Sequence, residues 1–289
     1  MTREKVLVTG SSGFIGSHLV EHLRKDYDVI GIDKNSDVYH KDVKFYQQDI
    51  NDEPTFKDKV DIVIHLAAKA GVRDSQDKFD EYVHDNILGT KSVLDNCIKY
   101  WKPSRVYIAS SSSIYGDTIN YGYCPKSLYA MSKVATEMIA TSYRNSKMLH
   151  NIYCMRLFTV YGPKQRKGLA MREFIDKILK DEPITVYGDG TQSRDFTYID
   201  DLCKAIKTQI KICPYDWMID MGNSHPVTLN SVIHTIAEIT GKDITIHYES
   251  QDIHDVMKTC SDRCVIENPT SLYEGLRKQI EWQKKELNL

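Results

Sequence analysis

The feature that most constrains this chain is Val6-Leu-Val-Thr9 followed at once by Gly10-Ser-Ser-Gly13-Phe14-Ile15-Gly16, then an amphipathic stretch from Ser17 to Lys25 with apolar residues at Leu19, Val20 and Leu23. A β-branched run, a turn with three regularly spaced glycines and an apolar helical period read as strand, tight turn and helix. Between a strand and a helix, missing side chains let backbone N–H groups and the positive helix end approach a pyrophosphate. The spacing G-x-x-G-x-x-G is common by itself; its place between these two elements gives it meaning. Asp33 ends the next β-branched run, where a carboxylate can accept hydrogen bonds from an adenosine ribose and repel a 2′-phosphate, so NAD is expected rather than NADP. Lys34 beside it pulls the other way, and Asp49-Ile50 fits either an adenine contact or a solvated loop.

Further strand patterns run from Val29 to Ile32, Val43 to Tyr46, Ile62 to Leu66 and Val106 to Ala109, with helical patterns around 79–101 and 128–146. Alternating strands and helices imply an α/β fold, a Rossmann-type doubly wound parallel sheet covered on both faces. After about residue 160 the elements shorten and are punctuated by Gly162-Pro163, Gly188-Asp-Gly190 and Asn223 to Pro226. That change predicts a smaller α/β substrate-binding region, closed by a surface helix over Ser271 to Leu287. The expected division is 1–163 with 194–215 for the dinucleotide, and 164–193 with 216–289 for the substrate.

Tyr129-Ala-Met-Ser-Lys133 sets a phenol and an ammonium one turn apart on one helix face. Upstream, Ala109 leads into a serine run, Ser110-Ser111-Ser112-Ser113, at the carboxyl end of a strand, where doubly wound sheets bind ligands. A tyrosine of ordinary pKa about 10 is a poor base; bringing it near 7 needs ~4 kcal/mol of preferential phenolate stabilisation. A neighbouring ammonium and a cationic nicotinamide can supply that together. Tyr129 and Lys133 with Ser111 are thus the candidate catalytic group, with Lys133 also on the nicotinamide ribose and Ser111 guiding the substrate proton.

The formal net charge is -2, with both signs mixed along the chain, so no basic stripe suggests nucleic acid and no basic helix suggests a membrane surface. The apolar run before Gly10 is too short for a signal peptide, and no stretch approaches the ~20 apolar residues of a membrane span; a cytoplasmic protein is expected. Seven cysteines, Cys97, Cys124, Cys154, Cys203, Cys213, Cys260 and Cys264, form no CxxC pair, and their odd number argues against a complete disulfide framework. Cys260 and Cys264 with His254 and Asp255 give no recognised zinc spacing, so no metal is expected.

These residues resemble the extended short-chain dehydrogenase/reductases, and most the UDP-glucuronate 4-epimerase and related UDP-sugar 4-epimerase branch. The resemblance covers nearly the whole chain: Thr9 to His18, His65-Leu-Ala-Ala-Lys-Ala-Gly-Val-Arg73, Asn86, the serine run, Tyr129 to Lys133, Arg156-Leu-Phe-Thr-Val-Tyr-Gly-Pro163 and Arg194-Asp-Phe-Thr-Tyr-Ile-Asp-Asp201. It implies an NAD-dependent 4-epimerase of a UDP-hexose working through a transient 4-keto sugar. Gly10, Gly13, Phe14, Ile15, Gly16, Asp33, Lys34, Asp49, Ile50, Leu66, Ala67, Ala68, Lys69, Asn86, Ala109, Ser110 and Val160 would border NAD with Tyr129 and Lys133. Arg73, Ser111, Ser112, Ser113, Thr159, Arg166 and Arg194 would face the UDP-sugar, Arg194 near its diphosphate or nucleoside. Arg166 matches an arginine that follows the Thr-Val-Tyr-Gly-Pro motif and could meet a sugar carboxylate; flanked by Lys164 and Lys167, it also fits a solvated basic loop. The helices around 79–101 and 128–146 resemble a pair that forms a four-helix homodimer interface.

The chain departs from the pattern in three places. The loop from Gly116 to Tyr129 is short and carries Tyr121, Tyr123 and Cys124. The arginine that usually precedes the late motif, here Asp255-Val-Met-Lys-Thr-Cys-Ser-Asp262, is absent, and the stretch from Asp262 to Pro269 is trimmed. The serine run lacks the Thr-Asp-Glu of 4,6-dehydratases, which leaves no acid to protonate a departing hydroxyl. A dehydratase, a UDP-glucuronate decarboxylase and a non-catalytic NAD sensor remain the alternatives.

Overall fold

The computed structural model describes residues 3–36, 40, 42–117 and 122–289; Tyr121 lies outside the described residues. In chain order the strands and α-helices are β1 Lys5–Thr9, α1 Phe14–Leu23, β2 Asp28–Asp33, β3 Lys44–Gln47, β4 Ile62–His65, α2 Asp74–Asp77, α3 Phe79–Tyr82, α4 Gly89–Asn96, β5 Arg105–Ser111, α5 Leu128–Asn145, β6 Ile152–Leu157, β7 Thr159–Tyr161, α6 Ala170–Leu179, β8 Ile184–Tyr187, β9 Ser193–Tyr198, α7 Ile199–Ile212, β10 Met218–Met221, β11 Pro226–Thr228, α8 Leu229–Thr240, β12 Ile246–Glu249 and α9 Leu272–Leu287.

Seven strands form one parallel sheet in the order β10-β6-β5-β4-β1-β2-β3. The order reverses between β1 and β4, and there the carboxyl ends of the strands open the crevice in which such sheets bind ligands. Alternation along each strand feeds two cores. Val6, Val8, Ile62 and Ile64 pack with Leu19 and Leu23 of α1 and with Leu202 and Ile206 of α7. Leu7, Val63 and Ile108 pack on the other face with Val93 and Leu94 of α4 and Ala140 of α5. Each such side chain is wholly buried, worth roughly 1.5–3 kcal/mol apiece, and this two-sided burial is why the strands read as continuous apolar runs.

The helix expected over 79–101 is continuous but not uniform, because π-helical turns at Val83–Leu88 and Cys97–Trp101 interrupt the α pattern. Those turns keep Tyr82, Asn86, Thr90, Val93, Leu94, Cys97 and Trp101 on the buried side. Met218–Met221, placed by the sequence in the substrate-binding region, pairs with β6 as the edge of the large sheet instead. Its short, half-buried run did not stand out as a parallel strand. The remaining elements make a three-stranded sheet, β11-β9-β7, and a two-stranded parallel one, β12-β8. Phe174, Ile184, Val232, Leu276 and Ile280 there continue the α1-side core without a break. α9 starts at a Ser271 cap and buries Gln279 and Gln283, which bond Gln165, Gly162 N–H and Arg172 carbonyl.

Candidate active site

Gly10 sits at φ +72 as β1 ends, and a Cβ there would lie 2.6 Å from Ala67 N and 2.8 Å from Leu66 C. A Cβ on Gly16 would overlap the Gly10 carbonyl oxygen. The turn therefore presses α1 against two strand ends that leave no room for a side chain. Gly13 precedes α1, which starts at Phe14 with Ile15 following, three residues before the start read from the sequence, and has no side-chain cap, so its first N–H groups face the crevice mouth unspent. Asp33 is buried and accepts from Ser12 N–H at 3.0 Å and Asn35 N–H at 2.9 Å. Lys34 is drawn off to Asp85 at 2.7 Å, which removes the cation that had counted against NAD. Asp49 is turned to Asn51 N–H at 2.9 Å and converges with His84 and Asp85, a grouping the sequence did not suggest. Ile50 packs on Gly89 of α4.

The segment after β4 is held by buried polar groups. His65 bonds Thr9 Oγ1 at 2.8 Å through Nδ1 and Thr90 Oγ1 at 3.2 Å through Nε2. Burial first, then the charge of Lys133, lowers its pKa to about 3, so the ring is neutral. Thr90 spends its proton on Asn86 carbonyl at 2.6 Å, so it accepts from Nε2–H and Thr9 donates to Nδ1. Asn86, expected to border the cofactor, is bonded on both sides by protein groups. Its Oδ1 accepts Lys69 N–H at 2.7 Å, and its Nδ2 donates to Lys69 carbonyl at 3.0 Å and Ser132 Oγ at 2.9 Å. One amide thus fixes the Leu66-Ala67-Ala68-Lys69 run to the helix that carries Tyr129. The Lys69 ammonium pairs with Glu81.

α5 begins at Ser127, whose Oγ accepts Ala130 N–H at 3.1 Å, and so Tyr129 and Lys133 fall one turn apart. Lys133 is buried and donates to the Ala109 carbonyl at 2.9 Å. Burial lowers its pKa to about 8, against the pull of Cys154 and Glu137. Burial raises Tyr129, while a hydrogen bond with Ser111 and the charge of Arg166 lower it. The sequence assigned that protein-borne stabilisation to Lys133; before any cofactor is considered, Ser111 and Arg166 offset only part of the burial, and the net shift of Tyr129 is upward. Ser111 accepts both Ser113 N–H at 3.2 Å and Ser113 Oγ–H at 2.9 Å, which leaves its own proton to offer Tyr129.

Ser110 turns the opposite way. Its Oγ, expected to border the cofactor, donates to Glu137 at 2.6 Å; period-two alternation sends it to the far side of β5 from Ser111. Glu137 also takes Arg156 in a bidentate pair with both bonds at 2.9 Å. Sequence reasoning assigns no role to Glu137 and only a place in a motif to Arg156; a carboxylate one turn beyond Lys133 is the available signal.

Arg166, an exposed residue, donates to Ala70 carbonyl at 2.8 Å, and its charge is the smaller of the two influences that lower Tyr129. Arg194 donates to the Ser193 and Met257 carbonyls at 3.0 and 3.4 Å. No carboxylate lies within 4.0 Å of it among the described residues; Asp255 and Asp117 act from farther off, and burial lowers its pKa. Arg73 differs: it lies 3.4 Å from Asp252 and 3.6 Å from Asp255 and stacks 3.8 Å over Tyr187, so its charge is already matched. Thr159 and Val160 lie on β7 beside β9, and Val160 packs on the core. Ser112 lines a narrow crevice with Tyr115, Phe158 and Lys258; Ser113 is tied back to Ser111. The late segment is fastened to the short loop by Lys126 to Asp255 carbonyl at 3.0 Å and Met257 N–H to Asp117 at 2.6 Å, and Lys126 also bonds Asp117 at 2.7 Å.

A chain with this geometry has extensive kin. A UDP-glucuronate 4-epimerase from Thermodesulfobacterium geofontis is 33% identical over 98% of this chain and 97% of its own length. Among solved structures, MoeE5 in complex with UDP-glucuronic acid and NAD is 34% identical, covers 98% of this chain and 99% of its own, and superposes with a TM-score of 0.90. The UDP-glucuronic acid 4-epimerase from Bacillus cereus, in complex with UDP-glucuronic acid and NAD, is 30% identical over 98% of this chain and 99% of its own, also with a TM-score of 0.90. The pattern of one family matches residues 6–211, taking in the glycine turn, the Tyr129–Lys133 pair and Arg194 alike, and the chain belongs to the NAD-dependent epimerase/dehydratase family.

Proposed function

We propose that the protein is an NAD-dependent 4-epimerase of UDP-hexoses whose preferred substrate is UDP-glucuronate. The carrying observation is Arg166, whose guanidinium donates to the Ala70 carbonyl, next to Lys69, whose backbone Asn86 ties to the helix of Tyr129. The C5 carboxylate of a glucuronate is next to C4, and a planar cation on this segment suits it. The residues present fit NAD: a Cβ would fill the cradle at Gly10 and Gly16, α1 offers unspent N–H groups, and the buried Asp33 carboxylate suits a 2′-hydroxyl but not a 2′-phosphate. Bound NAD supplies the acceptor, and later the donor, of the C4 hydride.

The chain's own residues handle protons, charge and position. Tyr129 Oη takes the proton of the C4 hydroxyl and gives it back once the 4-keto sugar has turned over. Ser111, its lone pairs occupied by Ser113, offers its proton to the same oxygen. Lys133, anchored on the Ala109 carbonyl, holds a cation under the reacting centre and meets the nicotinamide ribose. Arg194, without a carboxylate partner among the described residues, holds the diphosphate so that the sugar can rotate without leaving, and orientation supplies much of the rate. Ser112 and Ser113 bring no acid for loss of water. A cation held on the carboxylate stabilises it against loss of carbon dioxide, so epimerisation is favoured over both alternatives that share the ketone.

Tyr129→Phe tests the assignment: turnover should fall below detection while NAD stays bound, and undiminished turnover would remove Tyr129 from the mechanism. The division into a dinucleotide-binding region, 1–163 with 194–215 and β10, and a substrate-binding region in the rest is part of the same reading. So is a homodimer built on the two long helices, whose Leu88, Ile98 and Met138 are exposed. No helix among the described residues is long and apolar enough to cross a membrane; a cytoplasmic enzyme is part of the same reading.

A further inference from the structure

Glu137 has no solvent exposure, and each of its oxygens accepts two hydrogen bonds. Oε1 takes Ser110 Oγ at 2.6 Å and Arg156 Nε at 2.9 Å. Oε2 takes Tyr123 Oη at 2.8 Å and a second Arg156 nitrogen at 2.9 Å. Arg156 is fixed in turn, donating at 2.6 Å to Tyr115 Oη, which donates at 2.7 Å to Asp220 on β10. A buried ion pair is costly to assemble and is often no better than an apolar pair of similar volume. Charge balance needs only Arg156. The two extra hydroxyls come from the two segments that border the reacting centre, the short loop and the end of β5.

We propose that Glu137 is a positioning residue for the reaction, its carboxylate joining the loop at 116–126, through Tyr123, to the strand end that carries the Lys133 anchor and Ser111. Ser110 is the link. Its neighbour on one side is Ala109, whose carbonyl receives Lys133 Nζ, and on the other Ser111, the partner of Tyr129. Moving Ser110 by a fraction of an ångström moves both. Three residues beyond Tyr123, Lys126 holds the late segment through the Asp255 carbonyl and His254, so seating of the late segment is carried through Tyr123 and Glu137 to the catalytic group. Burial, reinforced by Glu137, raises Tyr123 to about 12, which keeps it a proton donor throughout the neutral range.

The inference rests on the epimerase reading, and its test is a double-mutant cycle of Tyr123→Phe and Ser110→Ala. Both variants leave the Glu137–Arg156 pair intact and charge-balanced, and the two side chains meet only through Glu137. Each single change should lower kcat about tenfold, within the loss that misplacement of the reacting groups can cause, with KM for UDP-glucuronate and NAD content nearly unchanged. The double variant should lose little more than either single one. An unchanged kcat, a rise in KM alone, or losses that multiply in the double variant would overturn the proposal. Hydrogen exchange of the same proteins needs no turnover: Tyr123→Phe should speed exchange in residues 109–115, away from its own loop. Were the wild-type chain inactive on UDP-glucuronate, the substrate reading would fail, and unaltered exchange in 109–115 would separately sink the positioning role.

Discussion

Replacing Gly10 with alanine isolates what the glycine turn requires, because Gly241 provides a matched control. Both glycines have nearly the same φ, +72 and +67, but a Cβ on Gly241 meets nothing within 4 Å whereas one on Gly10 meets Ala67 N at 2.6 Å and Leu66 C at 2.8 Å. The left-handed backbone alone costs an alanine about 1–2 kcal/mol, and this is the whole expected loss at Gly241. At Gly10 the obstructing atoms are backbone at the end of the β1–β4 ladder, where Thr9 pairs with His65. Nothing there can swing aside, so overpacking adds about 1–3 kcal/mol. The total of about 2–5 kcal/mol corresponds to a fall in Tm of roughly 4–20 °C for a chain of this size, against roughly 2–8 °C at Gly241. Thermal melting of both variants in one buffer, followed by titration with NAD, is the assay. Gly10→Ala should melt lower than Gly241→Ala and lose NAD affinity, whereas Gly241→Ala should keep it. Equal melting temperatures with undiminished NAD affinity would refute the close-approach account of the turn.

Arg166→Gln should raise KM for UDP-glucuronate roughly tenfold, the loss of one partly solvated charged hydrogen bond, and raise it much less for UDP-glucose; equal effects on the two sugars would place the arginine elsewhere. The same change removes a charge that lowers Tyr129, so the acid limb of kcat should move to higher pH. Lys133 gives the alkaline limb. Its ammonium persists below about pH 8 in the folded protein, so activity should decline as pH rises through that value. Stability should run the other way: the unfolded chain keeps this proton to higher pH than the folded one, so between about pH 8 and the ordinary lysine value the group's contribution to stability increases with pH. A pH–rate profile recorded with a Tm series separates loss of the ammonium from unfolding, and a Tm that falls in step with activity would count against Lys133.

What could be read from the sequence was what is local and periodic. The apolar runs at Val6, Val29, Ile62 and Val106 announce a two-sided parallel sheet because each is buried on both faces, and Tyr129 and Lys133 meet because a helix repeats every 3.6 residues. Side-chain direction at strand ends was harder to read. Ser110 and Ser111 look alike in a run of four serines, and only the pleat of β5 sends one to Glu137 and the other to Tyr129. Partners brought by distant segments were invisible for the same reason. Lys34 finds Asp85, Asn86 clasps Lys69, and Arg166, beyond β7, reaches the Ala70 carbonyl. Met218–Met221 escaped notice because half of its residues are only partly buried, so its apolar run is broken.

The most direct test of the central claim is proton NMR of the purified protein incubated with UDP-glucuronate, following the anomeric region with time, alongside UDP-glucose and UDP-N-acetylglucosamine. The account predicts growth of a new anomeric signal of galacto configuration with UDP-glucuronate, approaching a constant ratio of the two epimers without added cofactor when NAD copurifies, and slower change with the uncharged sugars. Formation of a pentose or a deoxyketo sugar, or an unchanged UDP-glucuronate spectrum in the presence of excess NAD, would contradict it.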